Sequence, residues 1–255
     1  MNVLWVFAHP EQCSLSGALK DEGVRALQES GHQVTVSDLY AMKWNPVVEP
    51  ADFGHDPGTR LLVGPVAKQA YAAGELSADI RVEQDKLGWA DTLVLQFPLW
   101  WLGMPAILKG WVDRVFVNGF AFGVTDPESG RTLRYGDGGL AGKRGMVVTT
   151  IGARAASFGP RGIHGDLDSI LFPVHHGLFW YSGMSVAPAF AMYGADRATD
   201  ADYANAAAGL RDRLAALSDA EPIAFRRQDG GDYDDDLVLR PHVAPGHAGI
   251  GAHYA

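Results

Sequence analysis

Residues 95–114 read LQFPLWWLGMPAILKGWVDR, and this stretch decides the fold. It begins inside an apolar run, Thr92 to Phe97, of the length and composition of a strand buried on both faces. Pro98 ends the run and opens a loop that carries Trp100 and Trp101. Pro105 then stands where a helix would begin, a position at which a missing N–H costs nothing. Ile107, Leu108, Trp111, Val112 and Val115 follow at helical spacing, with Lys109, Asp113 and Arg114 off the stripe. A strand, a tight loop and an amphipathic helix make half of a parallel crossover unit, and such sheets bind ligands at the carboxyl ends of their strands. The loop holding Trp100 and Trp101 occupies such an end and could grip a flat aromatic molecule. The plainer reading is that the two tryptophans fill core space.

The rest of the chain repeats the alternation. Val3–Phe7 reads as a strand and Ser16–Ser30 as a helix stopped at Gly31. Gln33–Asp38 alternates as a second strand, Leu61–Gly74 and Ser77–Trp89 are helical in pattern, and Ser77 is a cap candidate. Between Phe116 and Lys143 the chain is Gly-rich, with a possible hairpin around Thr132–Tyr135. Arg144–Ile151 and Val186–Tyr193 read as a fourth and a fifth strand, and Thr199–Leu217 as a last amphipathic helix. Five parallel strands without a Gly-x-Gly-x-x-Gly turn predict an α/β fold of the flavodoxin-like kind, with helices on both faces of the sheet. Residues 1–218 form that domain, and 219–255 form a C-terminal extension suited to completing a dimer or closing a pocket.

Composition limits the partners. A net charge of −9 over 255 residues disfavours nucleic acid and anionic membranes. The single cysteine, Cys13, permits no internal disulfide and suits a reducing compartment, and no basic leader precedes the first apolar run. The sequence therefore predicts a cytoplasmic protein. No apolar run is long enough for a membrane-spanning helix.

Two further strand ends carry chemistry. AHPEQCSLSGAL, residues 8–19, puts His9 at the end of the first strand and Cys13, Ser14 and Ser16 at the start of the helix. A helix N-terminus receives phosphate through free N–H groups and the positive end of its dipole, although Ser14 or Ser16 could simply be a cap. TTIGARAASFGPRGIHGD, residues 149–166, brings hydroxyls and a glycine to the end of the fourth strand and sets His164 between two glycines. An imidazole so placed can stabilise a negative charge that comes and goes, or can be an ordinary loop residue. His175 and His176 adjoin no carboxylate or cysteine set, so no metal is expected.

Taken together, FAHPEQCSLSGAL, LQFPLWWLGMPAILKGWVDRVFVNGFAFG, VTTIG and GIHGD resemble the NAD(P)H:quinone oxidoreductase family of flavoproteins, the DT-diaphorase type. The likeness runs from Met1 to about Leu217, and PGHAGIGAHY near the C-terminus is similar to the glycine–histidine tail of the longer, FAD-using members. The resemblance implies two-electron, ping-pong hydride transfer from NADPH or NADH through a flavin, FAD or alternatively FMN, to a quinone. It also implies a homodimer with the active site at its interface. Carried over by position, His9, Cys13, Ser14, Leu15, Ser16 and Ala18 would hold the flavin phosphates. Pro98, Leu99, Trp100, Trp101 and Leu102 would contact its ring, and Thr149, Thr150, Ile151 and Gly152 its polar edge, with Phe158 close by. Phe122, Tyr181 and His164 would line the substrate pocket, His164 being the catalytic, charge-stabilising group.

The pattern is not complete. Phe158 stands where the family has a catalytic tyrosine, six residues before the GIHGD histidine, and Phe122 replaces a second tyrosine. Cys13, Ile151 and Tyr203 also depart from the family pattern. More apolar walls favour apolar aromatic acceptors. Reduction of nitro- or azo-aromatics and a regulatory flavoprotein subunit of a potassium-efflux transporter are the alternative readings. A flavodoxin-style electron carrier fits less well.

Overall fold

The computed structural model describes residues 1–255. Strands β1 (Asn2–Phe7), β2 (Gln33–Asp38), β3 (Thr92–Pro98), β4 (Arg144–Ile151) and β5 (Ser185–Val186) form a parallel sheet in the order β2-β1-β3-β4-β5. A further short strand, β6 (Phe190–Tyr193), also pairs with β4 in parallel. The helices are α1 (Leu15–Glu29), α2 (Val63–Ala73), α3 (Ala78–Trp89), α4 (Ala106–Val115), α5 (Leu167–Val174) and α6 (Asp200–Ala215). This is the flavodoxin-like α/β fold, with a five-to-six-stranded parallel sheet.

Alternation along the central strands sends side chains into two cores. Val3, Trp5, Phe7, Val94, Met146 and Val148 pack with α1 and α6 on one face. Leu4, Val6, Leu93, Leu95, Phe97 and Val147 pack with α3, α4 and α5 on the other. Gly23 is needed on the first face, because a Cβ there would lie 2.4 Å from the Trp5 ring. The Tyr203 hydroxyl donates to the Ala18 carbonyl at 3.4 Å, joining α6 to α1.

The fifth strand is broken where the sequence predicts it to be continuous. Gly145 faces Val186 while Val148 faces Phe190, so residues 187–189 stand opposite only 146–147. Pro188 sits in that surplus and has no N–H to give the ladder. The helix over Leu167–Val174 is absent from the sequence reading. Pro173 lies inside it, and it continues as a π-helical stretch over His175–Trp180. Those interruptions hide its period. The Thr132–Tyr135 hairpin is reduced to a single antiparallel bridge between Thr125 and Thr132. Pro105 is the residue before α4 rather than its first, and Ser77 precedes α3 with its hydroxyl turned to Asp79 at 2.6 Å.

Arg114, placed off the apolar stripe by the sequence, is buried. Its Nε and Nη2 donate to both oxygens of the buried Asp52 at 3.0 and 2.6 Å. Its Nη1 reaches Asp79 at 2.7 Å and the Asn45 carbonyl at 3.1 Å. Four residues earlier, about one turn back on the same helix, a Cβ on Gly110 would lie 2.2 Å from the Pro46 carbonyl oxygen. Between them, Trp111 Nε1 donates to the fully buried Glu83 at 2.9 Å. The KGWVDR segment thus anchors the long 40–62 connection and α3.

The C-terminal segment returns along α5. Ile223 N–H donates to the Val186 carbonyl at 2.7 Å, Ala255 N–H to the Ala224 carbonyl at 2.8 Å, and Phe225 is buried. No helix is long and apolar enough to cross a membrane.

Candidate functional site

Strand order reverses between β1 and β3, and the carboxyl ends of β1, β3 and β4 open there into one cavity of about 350 Å³. It is lined by His9, Ser14, Leu15 and Ser16 from the first turn and by Pro98, Leu99 and Trp100 from the second. Thr150, Gly152, Ala195 and Asp196 complete the wall. Three loops distant in sequence converge because their strands are adjacent.

The first turn is fixed from below. Buried Gln96 on β3 accepts the Trp5 Nε1–H at 2.8 Å and donates to the Ser16 carbonyl at 2.7 Å. Ser14 is the N-cap of α1, its oxygen accepting the Gly17 N–H at 3.1 Å, which leaves its own O–H free to donate. Gly17 admits no substitute, since a Cβ would lie 2.1 Å from the Gln12 carbonyl oxygen. Ser16 Oγ and Thr150 Oγ1 are 2.6 Å apart and latch α1 to β4. The Cys13 N–H already donates to a Glu11 carboxylate oxygen at 2.9 Å, so the turn accommodates an anionic oxygen. His9 Nδ1 lies 3.1 Å from the Glu11 nitrogen and 3.0 Å from its oxygen, leaving Nε2 as the ring atom available to a ligand. These groups fit a flavin phosphate. No Lys or Arg lines the cavity, and the donors are hydroxyls, N–H groups and one imidazole.

The second turn is strained. Trp100 and Gly103 exchange both backbone hydrogen bonds, at 3.0 and 2.9 Å. Trp101 and Leu102 fill the two central positions with φ of 53° and 58°. This is a type I′ turn without the Asn or Gly that normally relieves it. Trp101 is fully exposed at its tip. Non-glycine residues held in the left-handed region cluster at functional sites.

Other sequence-predicted residues are distributed around this cavity. Thr149 and Ile151 do not line it, because the pleat turns them away from the face that Thr150 presents. Cys13 is exposed on the turn, and Ala18 lies on α1 outside the wall. Phe158 packs on His164 (ring centroids 4.8 Å) and on Tyr193 (5.4 Å). Gly162 and Gly165 frame His164 for different reasons: a Cβ on Gly162 would lie 2.3 Å from the Ser157 carbonyl oxygen, whereas Gly165 has a φ of +79°. Asp166 caps α5 by accepting the Ser169 N–H at 3.0 Å, and this hydrogen bonding, led by the Ser169 side chain, lowers its pKa. Phe122 and Tyr181 contact each other at 6.4 Å and line a different hollow, beside Val112 and Phe116. Within one chain they do not join the cavity of His9 and Trp100.

Sequence reasoning missed Asp196, whose Oδ2 would lie 2.2 Å from a Cβ on Gly152. Its signal was its position directly after the last strand, where every strand end faces the same crevice. Gln96 was missed too; a polar residue inside an otherwise apolar strand was the available clue.

A family model described as having a flavodoxin-like fold matches residues 1–214. The chain belongs to this flavodoxin-like family. Among its members, a ribosyldihydronicotinamide dehydrogenase-like protein of Penicillium crustosum is 43% identical over 235 residues, covering 91% of this chain and 87% of that protein. The NAD(P)H dehydrogenase [quinone] 1 of Cavia porcellus is 36% identical, covering 87% of this chain and 79% of its own. A Klebsiella pneumoniae protein with the provisional name quinone reductase has a crystal structure that superposes with a TM-score of 0.96. It is 48% identical, and the match covers 100% of each chain.

Proposed function

We propose that this flavodoxin-like protein is a flavin-dependent NAD(P)H:quinone oxidoreductase. The observation that carries the reading is the convergence of His9, Ser14 and Ser16 with Pro98–Trp100 and with Thr150 and Gly152 around one cavity. The relative named NAD(P)H dehydrogenase [quinone] 1 supports the same activity and the same NAD(P)H donor. When bound, a flavin, FAD or alternatively FMN, supplies the hydride acceptor and donor; the protein supplies position and electrostatics.

Each group of residues then has a task. The first helical turn binds phosphate through Ser14 O–H, the His9 Nε2 side and free N–H groups. Pro98–Leu102 is held as a rigid aromatic floor by the Trp100–Gly103 hairpin bonds. His164 sits on the Phe158 ring and stabilises negative charge at the reacting end, with no tyrosine hydroxyl at 158 to share a proton. Phe122 and Tyr181 form an apolar wall that favours apolar aromatic acceptors and excludes water.

That wall and the cradle lie apart within one chain, and Trp100, Trp101, Leu102 and Ile163 expose apolar surface. Both features support a homodimer in which the Phe122–Tyr181 wall of one copy faces the cradle of the other. The protein is cytoplasmic, and its 219–255 segment acts as an arm of the dimer or pocket. The test is the visible spectrum of the purified protein before and after anaerobic NADPH or NADH, with sedimentation velocity on the same sample. A flavin band that bleaches within the mixing time, on a particle of two chains, is expected. A colourless protein that takes up neither FAD nor FMN would overturn the reading. A flavin that stays oxidised with both donors would move it to a regulatory subunit.

A further inference from the structure

A second hollow lies apart from the nucleotide cradle. It measures about 440 Å³, lies between α5 and the C-terminal segment, and shares no lining residue with the cavity of His9 and Trp100. Its size falls within the ~300–1,000 Å³ usual for small-molecule sites. The walls are flat rings. Phe172 and His176 stack at 4.5 Å and 12°, with Tyr135 at 4.9 Å from His176. His253 continues this wall, 5.8 Å from His176, and lies nearly parallel to Tyr233, 11° apart at 6.0 Å, with the Tyr233 hydroxyl 3.0 Å from His253 Nδ1. Ile250 stands at the rim, 39% exposed.

We propose that this hollow is a second binding site, for a neutral planar aromatic that carries a hydroxyl, of the phenol or naphthol class. The shape argument is direct: a hollow walled by a connected run of rings accepts a flat ring by offset or edge stacking. The polar argument fixes the class. No Asp, Glu, Lys or Arg lines the hollow. Burial, and for His176 also the nearby His253, pushes the His176 pKa to about 4, so its imidazole is neutral at pH 7. Burial, then Arg226, likewise lowers His253. A neutral imidazole offers one acceptor and one donor, which suits a hydroxyl. Gln228 accepts the Arg134 Nε–H at 2.8 Å through Oε1, and its amide N–H groups remain to donate. Arg226, behind the wall, is already paired with Asp232, and Arg134 donates to Gln228, so a carboxylate or a nucleotide phosphate would enter without a lining counter-charge, at a desolvation cost the site does not offset.

The hollow is also preformed. Arg226 pairs with Asp232 at 2.8 Å and donates to the Ala252 carbonyl at 3.1 Å, tying the two ends of the C-terminal segment together. Trp180 Nε1 donates to the Arg226 carbonyl at 3.2 Å, tying that segment to the end of the α5 extension. A site built before the ligand arrives loses less affinity to ordering.

The experiment titrates 2-naphthol and 2-naphthoate, separately, into the flavin-loaded, oxidised full-length protein at pH 7 by calorimetry. Neither probe is a hydride acceptor of the quinone type, so reductase turnover does not enter the readout. The expected result is saturable 2-naphthol binding, with 2-naphthoate at least tenfold weaker. Ile250→Trp, which fills the rim, weakens 2-naphthol at least tenfold. Tyr233→Phe weakens it about fivefold, the size of one neutral hydrogen bond. Trp100→Ala, in the other cavity, leaves this binding in place. No binding of 2-naphthol overturns the proposal. So does equal binding of 2-naphthoate, loss of binding in Trp100→Ala, or indifference to the substitutions at the hollow. Should Ile250→Trp not fold, Tyr233→Phe alone decides.

Discussion

Replacing Trp101–Leu102 with Asn–Gly is expected to stabilise the apoprotein while loosening its hold on flavin. Both central residues of the turn sit in the left-handed region, at φ 53° and 58°. That conformation costs a non-glycine residue about 1–2 kcal/mol. Asn tolerates it better and Gly adopts it freely, so together they remove roughly 2–3 kcal/mol of strain. Little is lost in exchange, because Trp101 is fully exposed and Leu102 is 44% exposed. Burial forfeited at Leu102 is on the order of 1 kcal/mol. The net gain is therefore about 1–2 kcal/mol, and each kcal/mol raises Tm by roughly 2–4 °C in a domain of this size. Thermal unfolding of the flavin-free W101N/L102G variant, followed by circular dichroism, reads the gain. Equilibrium dialysis of FAD and FMN reads the loss, expected to be several-fold because Trp101 and Leu102 leave the floor while Pro98, Leu99 and Trp100 remain. An apoprotein Tm equal to or below wild type would refute the strain argument. It would mean that the Trp101 ring is covered by something a single chain does not contain.

Other substitutions separate scaffold from chemistry. Arg114→Met strands the buried Asp52 carboxylate and is expected to cost about 3–5 kcal/mol in urea unfolding. R114M combined with Asp52→Leu should recover most of that loss, and failure to do so would deny the pairing its role. His175 is fully buried, neither ring nitrogen has a hydrogen-bond partner, and burial pushes its pKa to about 4. Its folded pKa lies below the unfolded value of about 6.5, so the unfolded chain binds the extra proton between these limits. The stabilisation is therefore complete above pH 6.5 and falls away as pH drops towards 4, by on the order of 3 kcal/mol. His175→Leu should flatten that limb of a stability–pH curve, and an unchanged slope would reject the assignment. His164→Ala should lower the flavin-reduction rate in stopped flow by about 10²–10³-fold with the fold intact. Restoring a hydroxyl with Phe158→Tyr should raise that rate or change the ranking of quinone acceptors. Unchanged values of both would remove any role for position 158.

The sequence by itself determined the layer structure. Apolar runs of strand length, separated by helical periods, can bury their faces only as a parallel sheet between helices, so Val3–Phe7, Thr92–Phe97 and Arg144–Ile151 were readable without coordinates. It also marked the strand-end loops at His9–Ser16, Pro98–Leu102 and Thr149–Gly152, because residues there break the apolar pattern in a recognisable way. It could not show the helix over Leu167–Val174 and its continuation, where Pro173 and the π-helical stretch remove the period that identifies helices. Nor could it separate Thr150, which lines the cavity, from Thr149, which does not, since pleat direction depends on register with β3. Arg114 reads as a surface charge until Asp52, 62 residues earlier, is folded against it. The ring-walled hollow is the extreme case. Tyr135, His176 and His253 are far apart in sequence, and only the return of the C-terminal segment along α5 makes them neighbours. Local pattern fixes elements because periodicity is a property of neighbouring residues; sites depend on which distant elements pack together, and that is decided by the burial of the whole chain.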